Sequence, residues 1–205
     1  EKIFKGIKKS LNESLTKRII FYLLPKFFGN LIKKKLGLTK IKLILCGGAP
    51  LSLEIERFLD KVGITITQGY GLSEASPLIS VNPPNKIKHG SVGKIIKSCS
   101  VVLKNKNSQG HGVIFAKGPN IFHGYYKNNL ATEEVLDNGW LDTGDIGYFD
   151  KEDYLYITGR EKFVIVNQGG ENIYPEEIEE HLRASNLIKD SVIFSSDDKN
   201  IIAII

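Results

Sequence analysis

The chain has 205 residues, 41% of them hydrophobic and 25% charged. This is the composition of an ordinary globular protein; it excludes a disordered or fibrous chain, and no apolar run approaches the roughly 20 residues a bilayer-spanning helix needs. The formal charge of +5 is uneven, with 11 Lys or Arg against 2 Glu in residues 1–40 and 17 basic against 21 acidic residues afterwards.

The basic residues of the first 40 positions are spaced among apolar ones, such as Ile19–Leu24 and Phe27-Phe28, which predicts amphipathic helices with a solvated basic face. Peripheral contact with an anionic membrane is the second reading of that charge, and nucleic acid is not expected as a partner. Nothing resembles a signal peptide, so the default location is cytoplasmic. Cys46 and Cys99 show no metal-ligand spacing and are expected to be reduced, buried thiols.

Lys42–Cys46 is a short apolar run ended by Gly47-Gly48, which predicts a buried strand and a tight turn. Pro50 and Ser52 then open a helix with Ile55, Phe58, Leu59 and Val62 on one face and Gly63 as its stop. Ile64–Thr67 is the next strand, and it delivers Gln68–Ser76, QGYGLSEAS, at its C-terminal end. In strand–helix–strand units, ligands gather beyond the carboxyl ends of the strands. Residues 90–126 carry short β-rich runs (Ser100–Leu103, Val113–Ala116), and residues 140–166 continue with short aromatic-rich strands, suggesting an antiparallel sheet or distorted barrel. Pro175 followed by acids opens a helix, and Ser191–Phe194 and Ile201–Ile205 read as strands.

QGYGLSEAS interleaves glycines with a tyrosine and then sets Ser73 beside Glu74. Glycines admit a close ligand, a tyrosine ring can cover a flat group, and a hydroxyl with a carboxylate can serve a phosphate and its metal ion. Taken alone, the stretch reads first as a Gly-rich surface turn.

Four elements stand in order: Gly47–Leu51 (GGAPL), QGYGLSEAS, Trp140–Asp145 (WLDTGD) and Gly159–Lys162 (GREK). In this order they closely resemble the adenylate-forming, AMP-binding superfamily, from about residue 42 onward. The ending Gly169–Glu179, GGENIYPEEIE, resembles the long-chain fatty acid:CoA ligase branch. The resemblance implies an α/β fold. Residues 1–160 would be the later part of a large adenylation domain, a βαβ unit plus a distorted β-barrel or antiparallel sheet, and residues 161–205 the start of a small, mobile α+β domain. It implies ATP-dependent formation of an acyl-adenylate from a fatty acid, followed by thioester formation with coenzyme A, and activation of another carboxylate or a non-catalytic nucleotide-binding derivative as alternatives.

By the same resemblance, Gly47, Gly48, Ala49 and Pro50 form the loop on which adenine lies. Gln68, Gly69, Tyr70 and Gly71 form the opposite wall, with Tyr70 stacked on the base, so that Tyr70→Phe should be nearly silent. Ser73, where the family usually has threonine, contacts the α-phosphate, and Glu74 holds Mg²⁺. Asp145 and Arg160 bind the ribose hydroxyls, Lys162 is the hinge, and Gly169, Gly170 and Glu171 face the nucleotide or CoA channel. The family's phosphate loop and its C-terminal catalytic lysine have no counterparts in these 205 residues, so these residues alone are not expected to turn over. The family's Gly-Glu and Arg-Gly become Gly112-Val113 and Lys117-Gly118, a joint change that leaves the chemistry untouched.

Overall fold

The computed structural model describes residues 29–205 apart from Gln168, Gly170, Ala184, Asn186 and residues 197–199. The helices expected before residue 29 lie outside the described residues, whereas residues 29–35 are helical. Strand β1 (Ile44–Cys46), helix α1 (Leu53–Lys61) and strand β2 (Ile66–Gly71) form the anticipated unit, with β1 and β2 parallel and Cys46 beside Gln68.

Two details depart from the sequence reading. Strand β2 does not stop before QGYG; it runs through Gly71, because Gly69, Tyr70 and Gly71 pair antiparallel with β3 (Leu78–Val81). A partner that returns after a turn extends a strand beyond what local propensity indicates. The expected apolar face of α1 is also only half used: Val62 is buried, but Ile55 is 51% and Phe58 48% exposed. The buried helical side chain is Glu56, whose Oε2 accepts from the Gly90 amide at 2.8 Å and whose Oε1 lies 3.3 Å from His89 Nδ1. A carboxylate tolerates such burial only with partners, so α1 is fastened to the 82–93 loop through a charge. Both cysteines are free; Cys99 is buried as expected, and Cys46 only partly.

Strand β3 pairs with β4 (Lys94–Ile95), completing a four-stranded sheet. A bridge from Val92-Gly93 to Leu155, with Leu155 N donating to Gly93 O at 2.8 Å and Val92 N to Leu155 O at 2.9 Å, joins it to a five-stranded antiparallel sheet. That sheet holds β5 (Ser100–Lys104), β6 (Gly112–Lys117), β7 (Leu136–Asp137), β8 (Trp140–Phe149) and β9 (Leu155–Arg160), with β8 bonded to β6, β7 and β9. This is the distorted, curled sheet that was anticipated, although β8 is one strand of ten residues rather than several short ones. Ala75, Ile79, Cys99, Ala116, Ile121 and Leu141 form the core between the two sheets, with Tyr70 and Leu72 packed against it. Burying an aliphatic side chain of this size is worth about 1.5–3 kcal/mol, which holds the QGYGLSEAS hairpin on the larger sheet.

Helix α2 (Asn129–Val135) was not anticipated; Asn128 caps it by accepting from the Ala131 amide at 3.1 Å. Beyond β9, a small hairpin of β10 (Ile165–Val166) and β11 (Asn172–Ile173) leads into α3 (Pro175–Arg183), then the antiparallel pair β12 (Val192–Ser195) and β13 (Ile201–Ile204). Pro175 and the acids Glu176 and Glu177 sit in the first turn of α3, as the helix dipole favours. Glu179 Oε1 accepts from the Ile193 amide at 2.9 Å, which ties α3 to β12. On the other side α3 meets β9, where a Cβ on Gly159 would stand 2.7 Å from Glu176 Oε2.

Candidate active site

The WLDTGD motif is an interruption in a sheet. Strand β6 faces β8 with Phe115 beside Asp142 and Val113 beside Ile146, so Thr143, Gly144 and Asp145 together oppose Ile114. Such a bulge re-aims side chains, and here it needs Gly144, whose φ of 66° lies in the left-handed region. Thr143 locks it: the hydroxyl donates to Ile114 O at 2.8 Å and accepts from the Asp145 amide at 3.1 Å.

The bulge directs the Asp145 carboxylate between two donors. Tyr70 OH donates to Oδ2 at 2.7 Å, and Arg160 Nε donates to Oδ1 at 2.9 Å from the directly opposed position on β9. Asp145 is 6% exposed, whereas the Arg160 side chain is half exposed and keeps further N–H donors for another ligand. Burial, and then the Asp145 charge, push the Tyr70 phenol above its ordinary range, so it remains a donor. Each Asp145 oxygen accepts one hydrogen bond among the described residues and retains a second acceptor position.

Gly47, Gly48, Ala49 and Pro50 are exposed beyond β1, and a Cβ on Gly47 would lie 3.0 Å from the Gly69 carbonyl oxygen, so the two glycine stretches run side by side. Gln68 is buried in β2, and its carbonyl accepts from the Asn82 amide at 2.8 Å. At Gly71 a Cβ would meet Pro77 O at 1.7 Å; the hairpin closes only around a glycine. A short 3-10 turn, Ser73–Ala75, then presents an exposed Ser73 and a partly exposed Glu74.

Glu74 is anchored at both its main chain and its side chain: its carbonyl accepts from the Phe122 amide at 2.8 Å, and its Oε1 accepts from Tyr125 OH at 2.8 Å. Among the described residues no group of three or more His, Cys, Asp or Glu could hold a metal ion. A cation at Glu74 would therefore need phosphate and water oxygens as its other ligands. That donor set suits Mg²⁺, which binds through one or two carboxylates and keeps its waters.

Other expected site residues stand apart. Lys162 lies exposed in the 3-10 turn Glu161–Phe163, directly after Arg160, with Nζ 4.8 Å from the Phe163 ring centre. Gly169 and Glu171 are exposed, Glu171 Oε2 accepting from Asn167 Nδ2 at 3.0 Å; Gly170 lies outside the described residues. Sequence reasoning missed Tyr125 and also Asn120, whose amide donates to Ala75 O at 3.0 Å and Leu78 O at 2.9 Å and clamps the turn that carries Glu74. The motif Gly124-Tyr125-Tyr126 offered two tyrosines and no local signal to choose between them.

A strand–helix–strand unit continued into a curled antiparallel sheet is the architecture of the adenylate-forming enzymes, and solved structures agree. The O-succinylbenzoate coenzyme A synthetase of Bacillus subtilis in complex with AMP superposes with a TM-score of 0.74 at 31% identity, covering 85% of this chain and 39% of that one. The same synthetase in complex with ATP and magnesium ion gives 0.72 at 34% identity, covering 79% and 35%. A long-chain-fatty-acid–CoA ligase of Mycobacterium bovis is 37% identical over 169 residues, which are 81% of this chain and 27% of that protein. The AMP-binding enzyme family matches residues 16–126, more than half of the sequence, and the chain belongs to that family. It spans about a quarter of the length of the fatty-acid ligase it resembles.

Proposed function

We propose that the intact protein activates a long-chain fatty acid with ATP and passes the acyl group to coenzyme A. The observation that carries this reading is the buried Asp145 carboxylate, gripped by Tyr70 and Arg160 and still able to accept two more hydrogen bonds. Two adjacent hydroxyls, as on a ribose, match those two acceptor positions. Tyr70 would lie against the adenine with Gly47–Pro50 at the other face, and stacking of this kind is worth about 1–3 kcal/mol. The Ser73 hydroxyl would meet the α-phosphate.

In the first step a carboxylate oxygen of the fatty acid attacks the α-phosphorus, and the bond to the departing pyrophosphate breaks. Glu74 would hold Mg²⁺, whose positive charge would stand against the phosphate oxygens. In the second step the coenzyme A sulfur gives up its proton and attacks the acyl carbon, and AMP leaves with the oxygen. The binding groups act chiefly by alignment, holding the reacting oxygen in line with the phosphorus. Residues 1–160 would belong to the large domain and residues 161–205 to a small mobile one, Lys162 being the hinge and Gly169–Glu171 facing the channel. The long-chain substrate is supported by the Gly169–Glu179 run and by the fatty-acid ligase relative. The basic residues 1–40 would give peripheral contact with the membrane from which such an acid is drawn, on the cytoplasmic side. Among the described residues no helix is long and apolar enough to cross a membrane.

The test measures pyrophosphate exchange and acyl-CoA production side by side in the intact protein, with long-chain fatty acids and with O-succinylbenzoate. Exchange dependent on a long-chain acid is expected. Exchange only with O-succinylbenzoate overturns the substrate assignment, and no exchange with any carboxylate overturns the activity. In the same assays Lys162→Pro should spare exchange and lower acyl-CoA formation; an equal fall in both rejects the hinge.

A further inference from the structure

The neighbouring tyrosines 125 and 126 are used differently. Tyr126 is 88% exposed, with Lys127 Nζ 5.2 Å above its ring. Tyr125 is 37% exposed and is held on three sides. Its ring meets Phe122 edge-on, with centroids 4.9 Å apart and planes at 73°, its amide donates to Thr132 Oγ1 at 2.9 Å, and its carbonyl accepts from the Asn128 amide at 3.2 Å. Thr132 belongs to α2, and its hydroxyl in turn donates to Asn128 O at 2.8 Å. The helix start therefore fixes the Tyr125 backbone and Phe122 packs against its ring, and the polar group left to the side chain is the hydroxyl that donates to Glu74 Oε1 at 2.8 Å.

The same segment grips the Glu74 turn by three more bonds, from the Phe122 amide to Glu74 O and from Asn120 Nδ2 to Ala75 O and Leu78 O. Those three already secure the backbone. The Tyr125 hydroxyl adds nothing to the backbone; it selects a rotamer of the Glu74 side chain, occupying one lone pair of Oε1 and leaving Oε2 free of partners among the described residues.

We propose that Tyr125 is a positioning residue that holds the Glu74 carboxylate with Oε2 presented to the cation accompanying the nucleotide phosphates. The proposal rests on reading Glu74 as the residue that holds Mg²⁺. A metal-binding carboxylate that is itself hydrogen-bonded enters the metal's coordination already oriented, and loss of such an outer partner typically costs 10–100-fold in metal affinity.

The experiment is ATP binding by calorimetry at a series of Mg²⁺ concentrations, in the intact protein, with no turnover required. Wild type, Tyr125→Phe, Tyr126→Phe, Glu74→Gln and the Glu74→Gln/Tyr125→Phe double variant are compared, with melting curves to check folding. Tyr125→Phe should raise the Mg²⁺ needed for half-maximal ATP affinity by about tenfold. Saturating Mg²⁺ should restore that affinity, Tyr126→Phe should match wild type, and Tyr125→Phe should change nothing further once Glu74 is Gln. A wild-type Mg²⁺ dependence in Tyr125→Phe overturns the proposal and leaves the Glu74 assignment standing. A loss of affinity that saturating Mg²⁺ does not restore also overturns it, since that marks a role in folding alone. A wild-type protein that binds ATP without regard to Mg²⁺ overturns the Glu74 assignment and this inference together.

Discussion

The β8–β9 hairpin has a charged cluster near each end, and the two are built on opposite principles. Near the turn, Lys88 Nζ donates to Asp150 Oδ2 at 2.6 Å and to Glu152 Oε1 at 2.7 Å, while Lys86 Nζ donates to Glu152 Oε2 at 2.7 Å. Asp150 Oδ1 accepts from the Glu152 amide at 2.8 Å and the Tyr154 amide at 3.1 Å. Two cations meet two carboxylates, and all four carboxylate oxygens have partners. The far end holds Asp145, more deeply buried, with a single half-exposed cation and a neutral phenol for company. The first cluster matches each carboxylate with a cation, opens its spare acceptor positions to water, and staples the 82–91 loop to the hairpin; the second is buried and keeps two acceptor positions that no described group fills. Hydrogen-bonding capacity left uncommitted at a buried carboxylate distinguishes a site from a staple better than charge does.

That contrast can be broken most sharply at Asp145. In the intact protein Asp145→Ala should weaken ATP binding by about 1.5–3 kcal/mol, the worth of a hydrogen bond to a charged group, or roughly tenfold to a hundredfold. Its melting temperature should also fall, since Tyr70 and Arg160 both lose their acceptor. ATP affinity that survives, measured by calorimetry, would make this cluster a second staple.

Tyr70→Phe comes next. On ring shape alone it would be silent, but the 2.7 Å bond to Asp145 changes the expectation. Tyr70→Phe should cost about 1–2 kcal/mol of folding stability and a few-fold in ATP affinity, and Tyr70→Ala more in both, because it also removes the stacking surface. Equal melting temperatures and ATP affinities for wild type and Tyr70→Phe would show that the hydroxyl plays no part in orienting Asp145.

The smallest effect belongs to the first cluster. Hydrogen bonds from Lys86 and Lys88 hold Glu152 down at about 2; burial pushes Asp150 up, but the Lys88 hydrogen bond and the two amides bring it to about 2 as well. Folded-state values below the unfolded ones mean that their contribution is complete above the ordinary carboxylate range. It should be lost as the pH falls from about 4 to about 2. Both groups face solvent, so the contribution is small and screened by salt. The melting-temperature gap between wild type and Glu152→Gln should be present at neutral pH, shrink in high salt and close near pH 2. A gap that persists at pH 2 would mean that packing, rather than charge, makes the staple.

Much of the fold was legible because its signals are local. Apolar runs ended by Gly47-Gly48 and Gly63, and the proline-then-acid opening at Pro175–Glu177, mark element ends within a few residues. Two of the failures share a cause: QGYG became strand because β3 supplied a partner, and Glu56 was buried because the His89-Gly90 loop came to cover it, so that a distant element changed what a local pattern meant. Ile55 and Phe58 stayed half exposed where helical period alone put them in a core.

The sequence by itself determined the order of the motifs and the kinds of chemistry they offer: thin glycine loops, a hydroxyl beside a carboxylate, an aspartate and an arginine in the WLDTGD and GREK stretches. Only the tertiary structure decided which groups meet. Tyr70 reaches Asp145 across 75 positions and Tyr125 reaches Glu74 across 51. Those meetings depend on a sheet curling over a shared core and on a bulge at Thr143–Asp145 that turns one carboxylate toward its partners. Hydrogen bonds act over about 3 Å, and no spacing along a chain carries that distance.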